Sequence, residues 1–240
     1  MNQTPADPRL DDSELTVADV VYANPLNTPS DVAEWRMEGP GVATFPLQAM
    51  RLESTGATEA GQKSNLVFWC PEVVPDNVRI RWQFRPIMEP GLAILFFAAR
   101  GRGGQHVLDD SLAARSGPYD QYHSGDINAL HISYFRRRSD SEIRCQVCNL
   151  RKSHGFHLVA QGGDPIPSVA QADGWYQIAV IKSGPLVRFC IEDVVCFTWR
   201  DDGVSHGDVL ADGSIGFRQM NPLIAEYRDL VVERLEERQS

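Results

Sequence analysis

The sequence predicts an all-β fold, a sandwich of two antiparallel sheets, and three observations carry that prediction. Residues 78–87 (V-R-I-R-W-Q-F-R-P-I) alternate Val78, Ile80, Trp82 and Phe84 with Arg79, Arg81, Gln83 and Arg85. That pattern marks a strand with one buried and one wet face. Residues 91–99 (G-L-A-I-L-F-F-A-A) are apolar without a break, as in a strand covered on both faces. Strand-like segments then recur at intervals of about ten to fifteen residues, the rhythm of a sandwich. No segment has a convincing helical period beyond a turn near 108–114.

Taken in order, residues 1–30 form a partly irregular N-terminal segment, and 42–54 and 65–70 read as strands. The strands 78–87 and 91–99 form a hairpin, because Met88-Glu89-Pro90-Gly91 between them has turn composition. Further strands are 127–136 (I-N-A-L-H-I-S-Y-F-R), 143–150 (I-R-C-Q-V-C-N-L) and 156–161 (F-H-L-V-A-Q). Residues 176–182, 186–191 and 194–199 form a meander whose turns are Ser183-Gly184-Pro185 and Glu192-Asp193. Residues 214–220 and 226–234 close the fold. Two connections, 100–126 and 162–175, are too long for simple turns. Binding residues sit preferentially on such loops. Neither a repeat nor a low-complexity linker divides the chain, so residues 1–240 are expected to be one domain.

Composition excludes several classes. The chain has 240 residues, with 23 basic against 32 acidic, for a net charge of −9. Hydrophobic residues at 42% and charged residues at 23% suit a globular protein, not a disordered, collagen-like or coiled-coil one. The acidity opposes nonspecific nucleic-acid binding, which needs a broad basic field. No apolar run of about 20 residues is present to span a bilayer. The start, M-N-Q-T-P-A-D-P-R-L-D-D, lacks the basic and apolar regions of a secretory signal. Five cysteines, an odd number, then favour free thiols and a cytoplasmic location.

The residues with the most chemistry lie between 119 and 157. On a strand over 127–136, Asn128, Leu130, Ile132 and Tyr134 share one side, and Ala129, His131, Ser133 and Phe135 the other. His131 with Ser133 suggests a groove-facing surface, although a histidine bonding across the sheet fits as well. His154 and His157 are three apart, on opposite strand faces, and no helical H-E-x-x-H accompanies them, so no metal site is expected. Cys145 and Cys148 have CxxC spacing in an expected strand, where they point oppositely and read as packing residues. Cys190 and Cys196 flank a tight hairpin and read as thiols. The chain has no G-x-S-x-G elbow. It also lacks the E-x-D-x-E and E-x-D-x-x-E spacings of β-sandwich glucanases.

Aromatic and guanidinium groups suggest another chemistry. Sugar rings stack on aromatic side chains, and Trp69, Tyr119, Tyr122, Tyr134 and Trp175 are candidates, each equally able to pack in a core. Of the 23 basic residues, 20 are Arg. Residues 136–152 hold six basic against two acidic side chains, +4, which leaves −13 for the remainder. A guanidinium cluster of this kind fits an anion pocket, since Arg grips carboxylates bidentately.

Longer motifs carry a resemblance. His123-Ser-Gly-Asp-Ile-Asn-Ala-Leu-His-Ile-Ser-Tyr-Phe-Arg-Arg137, then Cys148-Asn-Leu-Arg-Lys-Ser-His-Gly-Phe-His-Leu-Val-Ala-Gln161 and Asp164-Pro-Ile-Pro167, resemble the YesU-like family of unknown function. The ending, Gly213-Ser-Ile-Gly-Phe-Arg-Gln-Met220 with Glu226-Tyr-Arg-Asp-Leu230, is similar to the last strands of concanavalin A-like lectin and glucanase domains. The resemblance implies a concanavalin A-like jelly-roll sandwich with a groove on a concave sheet. It also implies a link to breakdown of pectin-type or rhamnogalacturonan-type acidic glycans, without supplying a reaction. The expected ligand is therefore an acidic oligosaccharide, with no cofactor, no nucleic acid and no membrane partner. His123, Asp126, Asn128, Arg136, Arg151, His154 and Gln219 are the candidate binding residues, and His131 and Tyr134 the candidate catalytic ones. A lyase or hydrolase and a non-catalytic lectin-like protein both stay open.

Overall fold

The structure, a computed structural model, describes residues 15–192 and 194–237. The first half holds β1 (Leu15–Asn24), β2 (Arg36–Glu38), β3 (Gly41–Thr44), β4 (Met50–Ser54), β5 (Leu66–Val74), β6 (Val78–Met88) and β7 (Gly91–Gly101). After it come the short helix α1 (Asp120–His123), β8 (Ile127–Arg137), α2 (Asp140–Cys145), β9 (Val147–Ser153) and β10 (His157–Gly163). The last part is β11 (Tyr176–Ser183), β12 (Leu186–Ile191), β13 (Val194–Arg200), β14 (Gly213–Met220) and β15 (Ile224–Glu237). One sheet runs β13-β12-β11-β6-β15-β4-β3, with β1 also on β15; the other runs β10-β9-β8-β7-β14-β5-β2. All pairings are antiparallel, so the predicted two-sheet sandwich is the observed one. No helix among the described residues is long and apolar enough to cross a membrane.

The alternation of β6 does what its period requires. Val78, Ile80, Trp82 and Phe84 enter the core between the sheets, where Phe84 meets Tyr134 edge-on at 5.1 Å and Tyr227 at 5.5 Å. The unbroken apolar run of β7 is buried on both faces, as its composition demands. Ala93, Leu95 and Phe97 join the inter-sheet core, while Leu92, Ile94 and Phe96 join a second cluster with Trp69, Val107 and Tyr122. That second layer lies on the outer face of the seven-stranded sheet, under the 102–126 segment, which reads as loop in the sequence because its burial comes from a few isolated side chains.

Some expectations are corrected. The expected hairpin of 78–87 with 91–99 does not form: β6 lies in one sheet and β7 in the other, so the 88–91 turn carries the chain across the sandwich. The strand expected over 143–150 begins only at Val147. Before it, Ser139 Oγ accepts from the Glu142 backbone N–H at 3.4 Å and caps α2, which ends at Gln146 (φ 43°). A capping sequence, S-D-S-E, thus wins over local strand propensity. Cys145 is consequently exposed at the helix end, not packed, while Cys148 is buried. The expected strand 42–54 is two, because Pro46 and the positive φ of Leu47 and Gln48 interrupt the ladder. The 108–114 region makes isolated turns, and the helical turn falls later, at α1. Of the segment expected to be partly irregular, residues 1–14 lie outside the described residues, and 15–24 form β1 on β15.

Candidate functional site

The 102–126 segment packs Val107, Leu112, Tyr119 and Tyr122 on Val67, Trp69, Ile94 and Phe96 of the seven-stranded sheet. It is pinned over β5, β14 and β7 by Arg115, which bonds Glu38 Oε1 at 2.8 Å and the Val107 carbonyl at 2.6 Å. Glu38 also accepts from Trp69 Nε1 at 2.9 Å. Arg218 donates to the Gly117 carbonyl at 2.7 Å. What stays open is the outer face of β8, β9 and β10.

Register builds that open face in two rows. His131 pairs across to Arg151, and Arg151 to Leu158; Ser133 pairs to Asn149, and Asn149 to Gln161. Cross-strand neighbours stand about 4.5–5.5 Å apart, so six side chains share one face: His131, Ser133 and Asn149 are buried, Arg151 is part-exposed, and Leu158 and Gln161 are exposed. Gln161 donates to Asn149 Oδ1 at 2.7 Å, and Arg136 reaches Ser133 Oγ at 3.1 Å while closely ion-paired with Glu142. Phe156 and Leu158 beside it are about half exposed, at 47% and 48%.

Tyr119 Oη lies 2.6 Å from His131 Nδ1, and His131 Nε2 lies 2.9 Å from Ser153 Oγ. Ser153 has a single hydroxyl proton and donates it to the Gly155 carbonyl at 3.1 Å. His131 must therefore donate from Nε2, and its Nδ1 accepts the Tyr119 proton. Burial, helped by Arg151, His123 and Arg218, pulls the His131 pKa well below its usual value, so the imidazole is neutral at pH 7. Burial pushes Tyr119 up to about 12, with Arg218, Arg151 and Arg136 acting in the opposite direction.

Arg136 is neutralised by Glu142, but two further guanidinium groups meet no carboxylate among the described residues. Arg151 stacks on Phe156 at 3.7 Å and donates to its carbonyl at 3.1 Å, but meets no carboxylate among the described residues. Arg218, completely buried, likewise lies over Tyr119 (4.7 Å) and Tyr122 (5.2 Å) without a carboxylate partner among the described residues. His123 lies edge-on to Tyr119 at 5.1 Å, and burial lowers its pKa, so it adds no charge at pH 7.

Of the residues predicted from sequence, His123, His131, Arg136 and Arg151 thus come together around Tyr119. Asn128 and His154 line a separate cleft. Asp126 braces the covering loop, accepting from the Ala113 N–H at 2.6 Å. Tyr134 is a correction: it is fully buried between the sheets against Trp82 and Phe84, away from the open face. Gln219 is another, buried with its amide on the Leu52 and Leu223 carbonyls. In both cases strand parity outweighs the polar atoms, since Tyr134 shares its side with Leu130 and Ile132, and Gln219 with Ile215 and Phe217. The same parity points to Arg218, which sequence reasoning missed. Of the stacking candidates, Trp69 and Tyr122 are buried, and Trp175 lies between Arg85 (4.7 Å) and Arg228 (4.1 Å) on the other sheet.

The neutral imidazole has a measurable consequence. The unfolded chain protonates His131 below about pH 6.5, but the folded chain does not. Its contribution to stability is complete above that pH and declines below it, by up to about 1.4 kcal/mol per pH unit, until the folded-state pKa is reached. Urea unfolding at a series of pH values is expected to show a shallower acid limb for His131→Asn than for the wild type. An identical limb would remove His131 as its source.

Comparison with known proteins follows this geometry. The chain is 48% identical over 214 residues to the uncharacterized protein YesU of Bacillus subtilis (strain 168), covering 89% of this chain and 95% of that one. A crystal structure of a protein of unknown function with galectin-like fold from Bacillus subtilis superposes with TM-score 0.89 at 46% identity, over 93% of this chain and 100% of that one. The carbohydrate binding module CBM66 from Bacillus subtilis shares the fold at TM-score 0.54 and 11% identity, over 83% and 94% of the two chains. Residues 19–232 match the domain of unknown function DUF1961, and the chain belongs to that family.

Proposed function

We propose that the chain binds an acidic oligosaccharide, one carrying a uronic acid of the pectin or rhamnogalacturonan type, on the open face of β8–β10. The observation that carries this reading is Arg151, part-exposed, near Arg136 and meeting no carboxylate among the described residues. A ligand carboxylate supplies the missing partner through a charge-assisted hydrogen bond. Phe156 and Leu158 offer apolar area to a ring face, and the exposed Gln161 meets a hydroxyl. The same sandwich serves a carbohydrate-binding module, an analogy of fold alone. Arg151→Ala is expected to weaken binding of oligogalacturonates at least about tenfold by calorimetry, the scale of one charged hydrogen bond. Neutral oligosaccharides would bind unchanged. Equal affinity of both chains for every acidic oligosaccharide tested would defeat the reading.

The 2.6 Å Tyr119–His131 contact favours a second reading, cleavage at the same face. Here Tyr119, protonated at neutral pH, faces the substrate in place of the buried Tyr134, and His131 governs its proton. Incubation with saturated and unsaturated pectic oligosaccharides, followed for new reducing ends or C4–C5 double-bond absorbance, tests it. Turnover lost in Tyr119→Phe supports an enzyme; binding without turnover supports a lectin-like protein.

A further inference from the structure

A second cleft, of about 380 Å³, opens where the 153–157 turn meets the 201–212 segment. Its volume is that of a small-molecule site. Lys152 fixes its base: the side chain is 1% exposed, and Nζ lies 2.7 Å from both Asp201 Oδ2 and the Gly207 carbonyl, tying β9 to the 201–212 segment. His154 is held by a 3.2 Å contact from Nε2 to the Ser124 carbonyl. His157 and His206 stack in the wall, ring centroids 4.3 Å apart at 20°. Neither of the stacked imidazoles has a hydrogen-bond partner among the described residues.

The wall chemistry selects the ligand. The ammonium of Lys152 is already occupied by Asp201, leaving the exposed Arg102 and Asp208 as one cation and one carboxylate on the lining. A simple anion gains little in so balanced a site. No group of His, Cys, Asp and Glu among the described residues has metal-holding geometry. Imidazole nitrogens that both donate and accept, the Asn128 amide and one charge of each sign instead match a polyol, whose hydroxyls are donors and acceptors together. We infer that this cleft is a second carbohydrate site, taking a neutral sugar of one or two rings. It does not depend on the Arg151 face; Ser153 is common to the two, lining the cleft while bonded to His131.

Imidazole 15N resonances of the intact chain, titrated with glucose, galactose, mannose, rhamnose, lactose and maltose, test the inference. At least one sugar is expected to shift His157 and His206 saturably, with affinity reduced at least about tenfold in His206→Ala. Asp208→Asn, at an exposed position, is expected to weaken binding too, and serves if His206→Ala unfolds. Arg151→Ala should leave the titration unchanged, which separates this site from the proposed acidic one. No saturable shift with any of the six sugars, or shifts with sodium phosphate alone, would overturn it.

Discussion

Asp164→Ala is expected to destabilise the chain by about 3–5 kcal/mol, the cost of breaking a buried ion pair from one side. Arg137 and Asp164 both have side chains 0% exposed, with Nη1 and Oδ2 3.6 Å apart. Asp164 also accepts from the backbone N–H of Phe135 at 2.7 Å and of Ile166 at 3.0 Å, while Arg137 donates to the Ile166 carbonyl. Alanine removes the countercharge and leaves both N–H groups without their acceptor. Burial raises the Asp164 pKa, and Arg137 with the two N–H groups opposes that rise. The carboxylate is therefore held by its partners and not by solvent. Asp164→Asn, which keeps the shape and one acceptor oxygen, should lose less. Urea unfolding of both variants measures the difference, and a loss below about 1 kcal/mol for alanine would refute the account.

Trp69→Ala is the second large effect, also about 3–5 kcal/mol, the usual range for a buried Trp truncation. Trp69 is fully buried against Phe96, with ring centroids 5.4 Å apart. Gly216 lies so close beneath that a Cβ there would come within 2.5 Å of the indole ring. Removing the indole opens a cavity under the 102–126 segment and deprives Glu38 of one of its donors. Phe96 also stacks on His131 at 5.2 Å, so ligand binding at the open face is expected to weaken together with stability. A variant of unchanged stability that lost sugar affinity would instead make Trp69 a stacking platform.

Read from the sequence alone, the fold was legible where burial leaves a period. The alternation of 78–87 fixed which face of β6 enters the core, and the unbroken run of 91–99 announced a strand covered twice. The failures are equally physical. Around 139–145, a capping side chain starts a helical turn and delays the strand to Val147. At Tyr134 and Gln219, polar atoms suggested a site, while strand parity placed both in the interior.

By itself the sequence determined the sandwich, the family resemblance and the local excess of Arg, because each is a property of neighbours along the chain. Tertiary structure decided which guanidiniums have carboxylate partners. Arg136 is paired to Glu142 within its own segment, and Arg137 to distant Asp164. Arg151 and the missed Arg218, on different strands, both act on Tyr119, and neither meets a carboxylate among the described residues. Register across β8–β10, not position along the chain, sets that assembly, since strands carry residues far apart in sequence to adjacent places.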